Sequence, residues 1–339
     1  MSTVEGRPWT AAETEVLLRS MMRAPSVHNT QPWLLEADPD ELRVRERAEP
    51  ALPHHDPHGR DRAASCGAAV ANLELAVRVL GRAAEVAFLP DAREPDLVAR
   101  IAVGAEAAAT AEELRRHGAI ARRASHRAPF EGVAVPVPVV RELIGASGTP
   151  GVEARVVRPG REVAVVARLL RFAAEHFRTD GGYQRELSLW TIRDERAHRH
   201  GVGIPAGRVP AGSVPWAGLV RRATEVPDTP ELERRLGGET LLVFVTADDA
   251  RLDHVRAGYA LERVWLAAVG LGLAAGVLTQ PLHLEPVRAA LCEDLELTGF
   301  PQVLLRIGYA AEADPPSPRR GEREVLRGGP DPAVRPPGR

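Results

Sequence analysis

Apolar residues recur along the chain in two rhythms, and the changes of rhythm mark its elements. From Thr10 to Arg23, Val16, Leu17 and Met21 share one helical face. Thr10 stands at the N-cap position and Glu13 follows three residues on, so a capped helix is predicted. Leu42 to Arg47 alternates in part and predicts a strand. Arg62 to Leu80 predicts a long helix with Val70, Leu73, Val77 and Leu80 as its stripe. Cys66, Gly67, Ala68 and Ala69 are small enough for close packing near its start. Glu85 to Leu89 predicts the next strand, Ala105 to His117 a connecting helix and Val163 to Phe177 another helix. Thr240 to Thr246 and Pro301 to Gly308 predict buried strands.

Two of these stretches repeat each other. Gly67 to Pro90 and Gly258 to Pro281 align without a gap, with Gly67/Gly258, Leu75/Leu266, Leu80/Leu271, Gly81/Gly272, Val86/Val277 and Pro90/Pro281 among the matches. Each reads as a long buried helix, a glycine stop and a strand. The shared punctuation predicts a duplicated unit.

Composition narrows the chemistry. With 339 residues and 44% hydrophobic content, the chain can bury a substantial core. A net charge of −2 gives no reason to expect nucleic acid or an anionic membrane as partner. No apolar run is long enough to span a bilayer, and Met1 to Thr10 lacks the apolar core of a signal peptide. Two cysteines, Cys66 and Cys292, make no disulfide framework, and Cys66 reads as a small buried residue; a cytoplasmic, reduced protein is expected. All 44 basic residues are arginine. Without lysine, neither a pyridoxal Schiff base nor a Walker-A phosphate loop can form. No Gly-x-Ser-x-Gly elbow occurs, and Gly270-x-Gly272-x-x-Ala275 closes a helix where a dinucleotide fingerprint would open one.

Three runs remain as candidate chemistry. In Pro25 to Trp33, prolines bracket Ser26, Val27, His28, Asn29, Thr30 and Gln31. Proline ends the preceding helix, and the short side chains offer donors and acceptors suited to a flat polar ligand. The same run also suits a helix C-terminus with Asn29 capping a turn. Pro53-His54-His55-Asp56-Pro57-His58 invites a metal reading, but adjacent His54 and His55 point apart and the prolines stiffen the run; a solvated loop is expected, and no metal site is assigned. In Ile120 to Phe130, Arg123, Ser125 and Arg127 place two cations and a hydroxyl where they suit a phosphate monoester; a solvated arginine face is the alternative. Trp190 to Pro227 is polar and too long for a plain connector, which suits a lid or a disordered insertion, with His198 and His200 as surface residues.

Ala24-Pro25-Ser26-x-x-Asn29-x-Gln31-Pro32-Trp33 resembles the flavin-contacting loop of the nitroreductase fold, in the form typical of the Acg-type single-chain branch. Ser65-Cys66-Gly67-Ala68-Ala69 is also typical of that branch. Arg123, Ser125 and Arg127 occupy the Arg-x-Ser-x-Arg/Lys signature of the fold. The resemblance implies an α+β nitroreductase-like fold with two units duplicated in one chain as a pseudo-dimer. The halves would span residues 1–104 and 105–325, with a lid insertion about 191–227 and a disordered tail at 326–339. It implies FMN between the halves. Pro25, Ser26, Val27, His28, Asn29 and Gln31 would meet its ring and ribityl side, and Arg123, Ser125, Arg127, Arg319 and Arg320 its phosphate. Thr279, Gln280, Pro281, Leu282 and His283 fall where the family lays backbone along the flavin N5 edge. The family often has Glu-Gly there; this chain has Leu282-His283. The first half lacks the arginine signature and the second lacks the Pro-Ser loop. One complementary pair of motifs therefore implies one FMN per chain, in a monomer that completes its own site. The implied activity is ping-pong electron transfer from NAD(P)H or a substrate through FMN to a small molecule. The alternative is an FMN-sequestering protein with a covered flavin and little turnover.

Overall fold

The computed structural model describes residues 7–49, 51–192, 201–206, 219–314 and 316–327. Helix α1 (Ala11–Met22) begins at the predicted capping box: the Glu13 carboxylate accepts from the Thr10 amide, and Thr10 Oγ1 accepts from the Glu13 amide. Strands β1 (Trp33–Ala37) and β2 (Glu41–Glu46) follow, then α2 (Arg60–Val79), β3 (Arg82–Phe88) and β4 (Leu97–Glu106). The four strands pair antiparallel in the order β1-β2-β4-β3.

A link through α3 (Ala111–Ile120) leads to α4 (Val137–Ser147) and β5 (Val152–Val156). Then come α5 (Arg161–Thr179), α6 (Gly181–Leu189), the short β6 (Thr191–Ile192) and β7 (Ile204–Pro205), and α7 (Thr229–Leu236). Strand β8 (Thr240–Thr246), helix α8 (Arg251–Gly270), β9 (Ala274–Leu278), α9 (Glu285–Asp294), β10 (Phe300–Gly308) and α10 (Glu322–Val325) complete the described chain. The second sheet is β5-β8-β10-β9, again antiparallel throughout. Replacing β1, β2, β3 and β4 by β5, β8, β9 and β10 converts one sheet order into the other, with α2 and α8 in the same connection. The duplication predicted from one helix and one strand thus extends to four strands.

The two long helices pack against each other at their glycines. A Cβ on Gly67 would lie 1.9 Å from the Val255 carbonyl oxygen, and one on Gly258 would lie 1.8 Å from that of Ala64. In the repeat register Gly67 matches Gly258 and Ala64 matches Val255. The same contact is therefore made twice, as a two-fold axis between the halves requires. Only a residue without Cβ permits this approach.

The sheets differ in cover. The first packs α1 and α2 on one face, which gives the half-buried alternation of β2. In the second, Leu242 and Phe244 of β8 join the core with α4 and α8, whereas Leu241, Val243 and Val245 join the core with α5, α7 and α9. With both faces covered, apolar residues run continuously through Leu241–Val245 of β8, and β10 is buried from Pro301 to Gly308 with Gln302 and Arg306 among its apolar residues. No helix among the described residues is long and apolar enough to cross a membrane.

Two expectations change. The loop at Pro53–His58 is not wholly solvated: His55 and Asp56 are buried, because the amides of His54 and His55 donate to the Glu186 carboxylate of α6 at 3.0 and 2.8 Å. The expected tail at 326–339 starts within the fold, since the Arg327 amide donates to the Leu35 carbonyl at 2.8 Å. Most of the expected lid, 193–200 and 207–218 with His198 and His200, lies outside the described residues, as does 328–339.

Candidate functional site

A pocket opens beside the α2–α8 contact. Its wall takes Pro25, Ser26, Val27, His28 and Asn29 from the loop after α1, and Asp61, Ala64, Ser65 and Ala68 from α2. Arg123, Ser125 and Arg127, with Leu261 and Trp265 of α8, face them. Gly276, Val277, Thr279, Gln280 and Arg319 also contribute. Both halves therefore build it.

The Pro25–Trp33 loop is strained. His28, Asn29 and Gln31 have φ of 46°, 55° and 51°, unusual for residues with a Cβ. Such backbone persists when its surroundings over-determine it. Here Ser26 Oγ accepts from the Gln31 amide at 3.0 Å, and Ser65 Oγ accepts from the Val27 amide at 3.2 Å. The Asn29 amide nitrogen faces the carbonyls of Gly201, Gly203 and Pro318 at 3.0–3.2 Å. Gln31 donates to the Gly201 carbonyl at 2.6 Å and accepts from the Arg320 amide at 3.0 Å. These two amides thus fasten the loop to residues 201–203 and 318–320. Cys66 Sγ donates to the Pro32 carbonyl at 3.2 Å, and burial pushes its thiol pKa well up.

The arginine run lies along the sheet edge. The His126 amide donates to the Ala275 carbonyl at 2.9 Å, and Ser125 bridges Ala275 in parallel. A Cβ on Gly276 would meet the His126 carbonyl oxygen at 2.5 Å, so glycine permits this docking. Arg123 is buried, stacked 4.5 Å over the Trp265 ring, 3.3 Å from Glu262 and donating to the Arg23 carbonyl at 2.8 Å. Arg319 donates to the carbonyls of Met22, Arg23 and Ala24, closing the C-terminus of α1, and to Asn29 Oδ1 at 3.1 Å. Burial, with Arg123 and Arg23 nearby, presses the Arg319 pKa down. Burial raises the Glu262 carboxyl to about 7, against the pull of Arg123. Positive charge thus exceeds negative charge at this end of the pocket.

The other end is imidazole-rich. Asp61 Oδ2 accepts from Thr279 Oγ1 at 2.7 Å and lies 3.1 and 3.0 Å from the Nε2 atoms of His55 and His283. The His28 ring sits edge-on to His55 at 4.5 Å, and His55 stacks on Tyr183 at 5.9 Å. Gln280 donates to the Tyr183 hydroxyl at 2.5 Å. Burial alone would raise the Asp61 carboxyl; His283 and His55 outweigh it and hold the pKa well below the usual range. Burial and His55 push His28 well down, towards the neutral form.

Of the residues singled out in the sequence, Pro25, Ser26, Val27, His28, Asn29, Arg123, Ser125, Arg127, Thr279, Gln280 and Arg319 line the pocket together. Gln31, Pro281, Leu282, His283 and Arg320 do not. Gln31 and Leu282 are buried in packing, His283 stands behind Asp61, and Arg320 reaches Thr30 and Glu324. Sequence reasoning missed Asp61, Glu262, Trp265 and Tyr183. Asp61 reads as an ordinary acid in a helix first turn; the other three lie on buried helical faces and carry no local signal.

An α+β chain of two like halves, with a pocket between an arginine-rich end and a strained polar loop, is the class of protein defined so far. The model described as "Nitroreductase family" matches residues 120–309. The Mycobacterium tuberculosis H37Rv protein named "Putative NAD(P)H nitroreductase Rv3131" is 32% identical over 323 residues, covering 93% of this chain and 91% of the relative. An NAD(P)H nitroreductase-named relative from the same strain, acg, is 27% identical over 332 residues, covering 94% and 96%. The chain belongs to the nitroreductase family, in its Acg-type branch. Among solved structures, a nitroreductase with bound FMN from Bacteroides fragilis aligns with a TM-score of 0.38 and 16% identity, over 59% of this chain and 90% of that one. One from Desulfitobacterium hafniense, also with bound FMN, aligns at 0.37 and 15%, over 60% and 92%.

Proposed function

We propose that the chain is an FMN-dependent oxidoreductase that holds one FMN in the pocket between residues 1–104 and 105–325. The observation that carries this reading is the excess of positive charge. Arg123 is buried, and Arg319 and Arg23 are partly buried, around the single carboxylate of Glu262, beside the Ser125 hydroxyl. A phosphate monoester is the anion that such a set fits. Apolar Leu261, Trp265 and Val277 offer a surface for a flat ring, and Ser26, His28, Thr279 and Gln280 offer polar edges. Bound there, FMN supplies hydride and electron transfer; the protein binds, orients and shields it. Arg127 and Ser125 anchor the phosphate, while the clamped loop fixes the polar edge against the ring. NAD(P)H or another small molecule would serve as reductant in a ping-pong cycle. No nucleic acid or second chain is needed.

The clamp of Asn29 and Gln31 on residues 201–203 and 318–320 favours a second reading, a flavin-holding protein with slow turnover. The rate of flavin reduction by NAD(P)H separates the two.

The binding test is titration of flavin-free protein with FMN and with riboflavin. Wild type should take one FMN per monomer by gel filtration and flavin quantitation. Arg127→Ala should weaken FMN by about ten- to a hundred-fold, from the loss of one charge-assisted contact. Riboflavin, lacking phosphate, should change little. Equal weakening of both ligands, or two FMN per chain, overturns the assignment.

A further inference from the structure

At the imidazole-rich end of the pocket, His55, Asp61 and His283 are not used by this reading. His55 comes from the loop before α2, Asp61 from the first turn of α2, and His283 from the turn after β9, so the cluster joins the two halves. Each offers one donor atom, and the three atoms lie within 4.8 Å of one another. All three side chains are enclosed, at 2%, 7% and 7% exposure.

We propose that His55, Asp61 and His283 bind a divalent first-row transition ion of the zinc(II) type through two imidazole nitrogens and one carboxylate oxygen. Further positions would open towards the pocket, on the side of Thr279 and His28. Two nitrogens and a carboxylate are the donor set such ions take when a site keeps an open position. The spacing agrees. Ligand bonds of about 2.0–2.2 Å place neighbouring donors roughly 3.0–3.5 Å apart, and both imidazole nitrogens stand 3.0–3.1 Å from Asp61 Oδ2.

The direction of His283 agrees too. Its Nε2 is 3.0 Å from Asp61 Oδ2, yet the buried nitrogen makes no hydrogen bond. His55 Nε2 does hydrogen-bond Asp61 Oδ2, so within the cluster it is His283 that shows the close approach without alignment expected at the edge of a coordination shell. Asp56, also buried, leaves Oδ1 without a hydrogen bond. The cluster comprises protein side chains alone and does not depend on FMN being the flavin.

The test uses the full chain, free of any affinity tag and treated with chelator. Calorimetric titration with Zn²⁺, with and without FMN present, should show one equivalent per chain, and Co²⁺ should give the visible bands of a nitrogen-oxygen site. His283→Gln and His55→Gln should each weaken binding at least ten-fold, whereas Arg127→Ala should leave it unchanged. Zinc should also raise the melting temperature of wild type, a readout that needs no variant. Absence of stoichiometric binding by wild type overturns the proposal and leaves a hydrogen-bonded His-Asp-His cluster. Binding that survives both histidine substitutions also overturns it. Wild type that binds the metal but takes up no FMN would instead count against the flavin assignment and leave this proposal standing.

Discussion

The glycine contact between α2 and α8 gives a quantitative test of the paired halves. In Gly67→Ala, the new methyl carbon would stand 1.9 Å from the Val255 carbonyl oxygen and 2.9 Å from the Tyr259 amide nitrogen. A comfortable carbon–oxygen contact is about 3.3 Å, so the helices must separate locally by roughly 1.4 Å. Both obstructing atoms are helix backbone, so no rotamer change relieves the clash. Overpacking a core costs about 1–3 kcal/mol and occasionally more. A clash on fixed backbone falls at the upper end, and the gain of helix propensity, up to about 1 kcal/mol, offsets part of it.

The net expectation is a loss of about 2–3 kcal/mol. An unfolding entropy of roughly 2.1 cal/mol/K per residue over the whole chain converts this to a drop of about 3–4 °C in melting temperature. Gly118→Ala is the control: it lies inside α3 with nothing within 4 Å of its added methyl, and should stabilise by up to about 1 kcal/mol. The two-fold relation adds a sharper requirement. A single separation of the helices relieves both clashes, so Gly67→Ala with Gly258→Ala should cost less than the sum of the two. Urea denaturation and calorimetry measure each variant. Wild-type stability in Gly67→Ala, or strict additivity in the pair, would refute the close approach.

Two further perturbations address the arginine end. Burial raises Glu262 from an ordinary 4.5 to about 7. The folded state thus holds this proton through a pH range in which the unfolded chain has released it, so the contribution to stability falls as pH rises from 4.5 to 7, by about 3 kcal/mol in full. In flavin-free protein, Glu262→Gln should remove that component of the slope between pH 5 and 8 in urea titrations; an unchanged slope refutes the assignment. Arg319→Ala leaves the carbonyls of Met22, Arg23 and Ala24 without their donor and should lower stability by about 2–3 kcal/mol. Arg319→Lys should not restore it, since an ammonium cannot span that fan of acceptors; full recovery by lysine would contradict the capping role.

How far each feature was legible depended on the distance over which it is determined. The capping box at Thr10 and the glycine-stopped helices are local, and appear as read. Strands β1 and β5, five residues each, went unread because sheet pairing sustains their short patterns, and the ten-residue β4 went unread as well. The Pro25–Trp33 run was legible as a motif, but the work of Asn29 and Gln31 was not: their partners lie near residues 201 and 318, and no local pattern reports them. His55 and Asp61 are close in sequence, yet each reads as ordinary in its setting; only the fold adds His283.

The duplication also bears on why one site would suffice. By the repeat register, Ala68 of the pocket corresponds to Tyr259, Trp265 to Glu74 and Thr279 to Phe88. The three counterparts meet at the mirrored position. The Tyr259 hydroxyl donates to the Glu74 carboxylate, and the Tyr259 ring packs edge-on against Phe88 at 5.2 Å. Where one side has a methyl and a hydroxyl facing an indole, the other has two aromatic rings and an acid bonded together. The glycines on the axis have stayed alike because both halves need the same close approach. The residues on either side have diverged, leaving space at one position and filling the other. Opening the mirrored position with Tyr259→Ala would remove the larger plug. It should destabilise the fold through lost packing, by about 3 kcal/mol or more, without adding a second flavin equivalent, because the second half contributes no copy of the Pro25–Trp33 loop and the first no Arg123–Arg127 run. A second equivalent in that variant would show that space alone, and not the paired motifs, decides where the flavin binds.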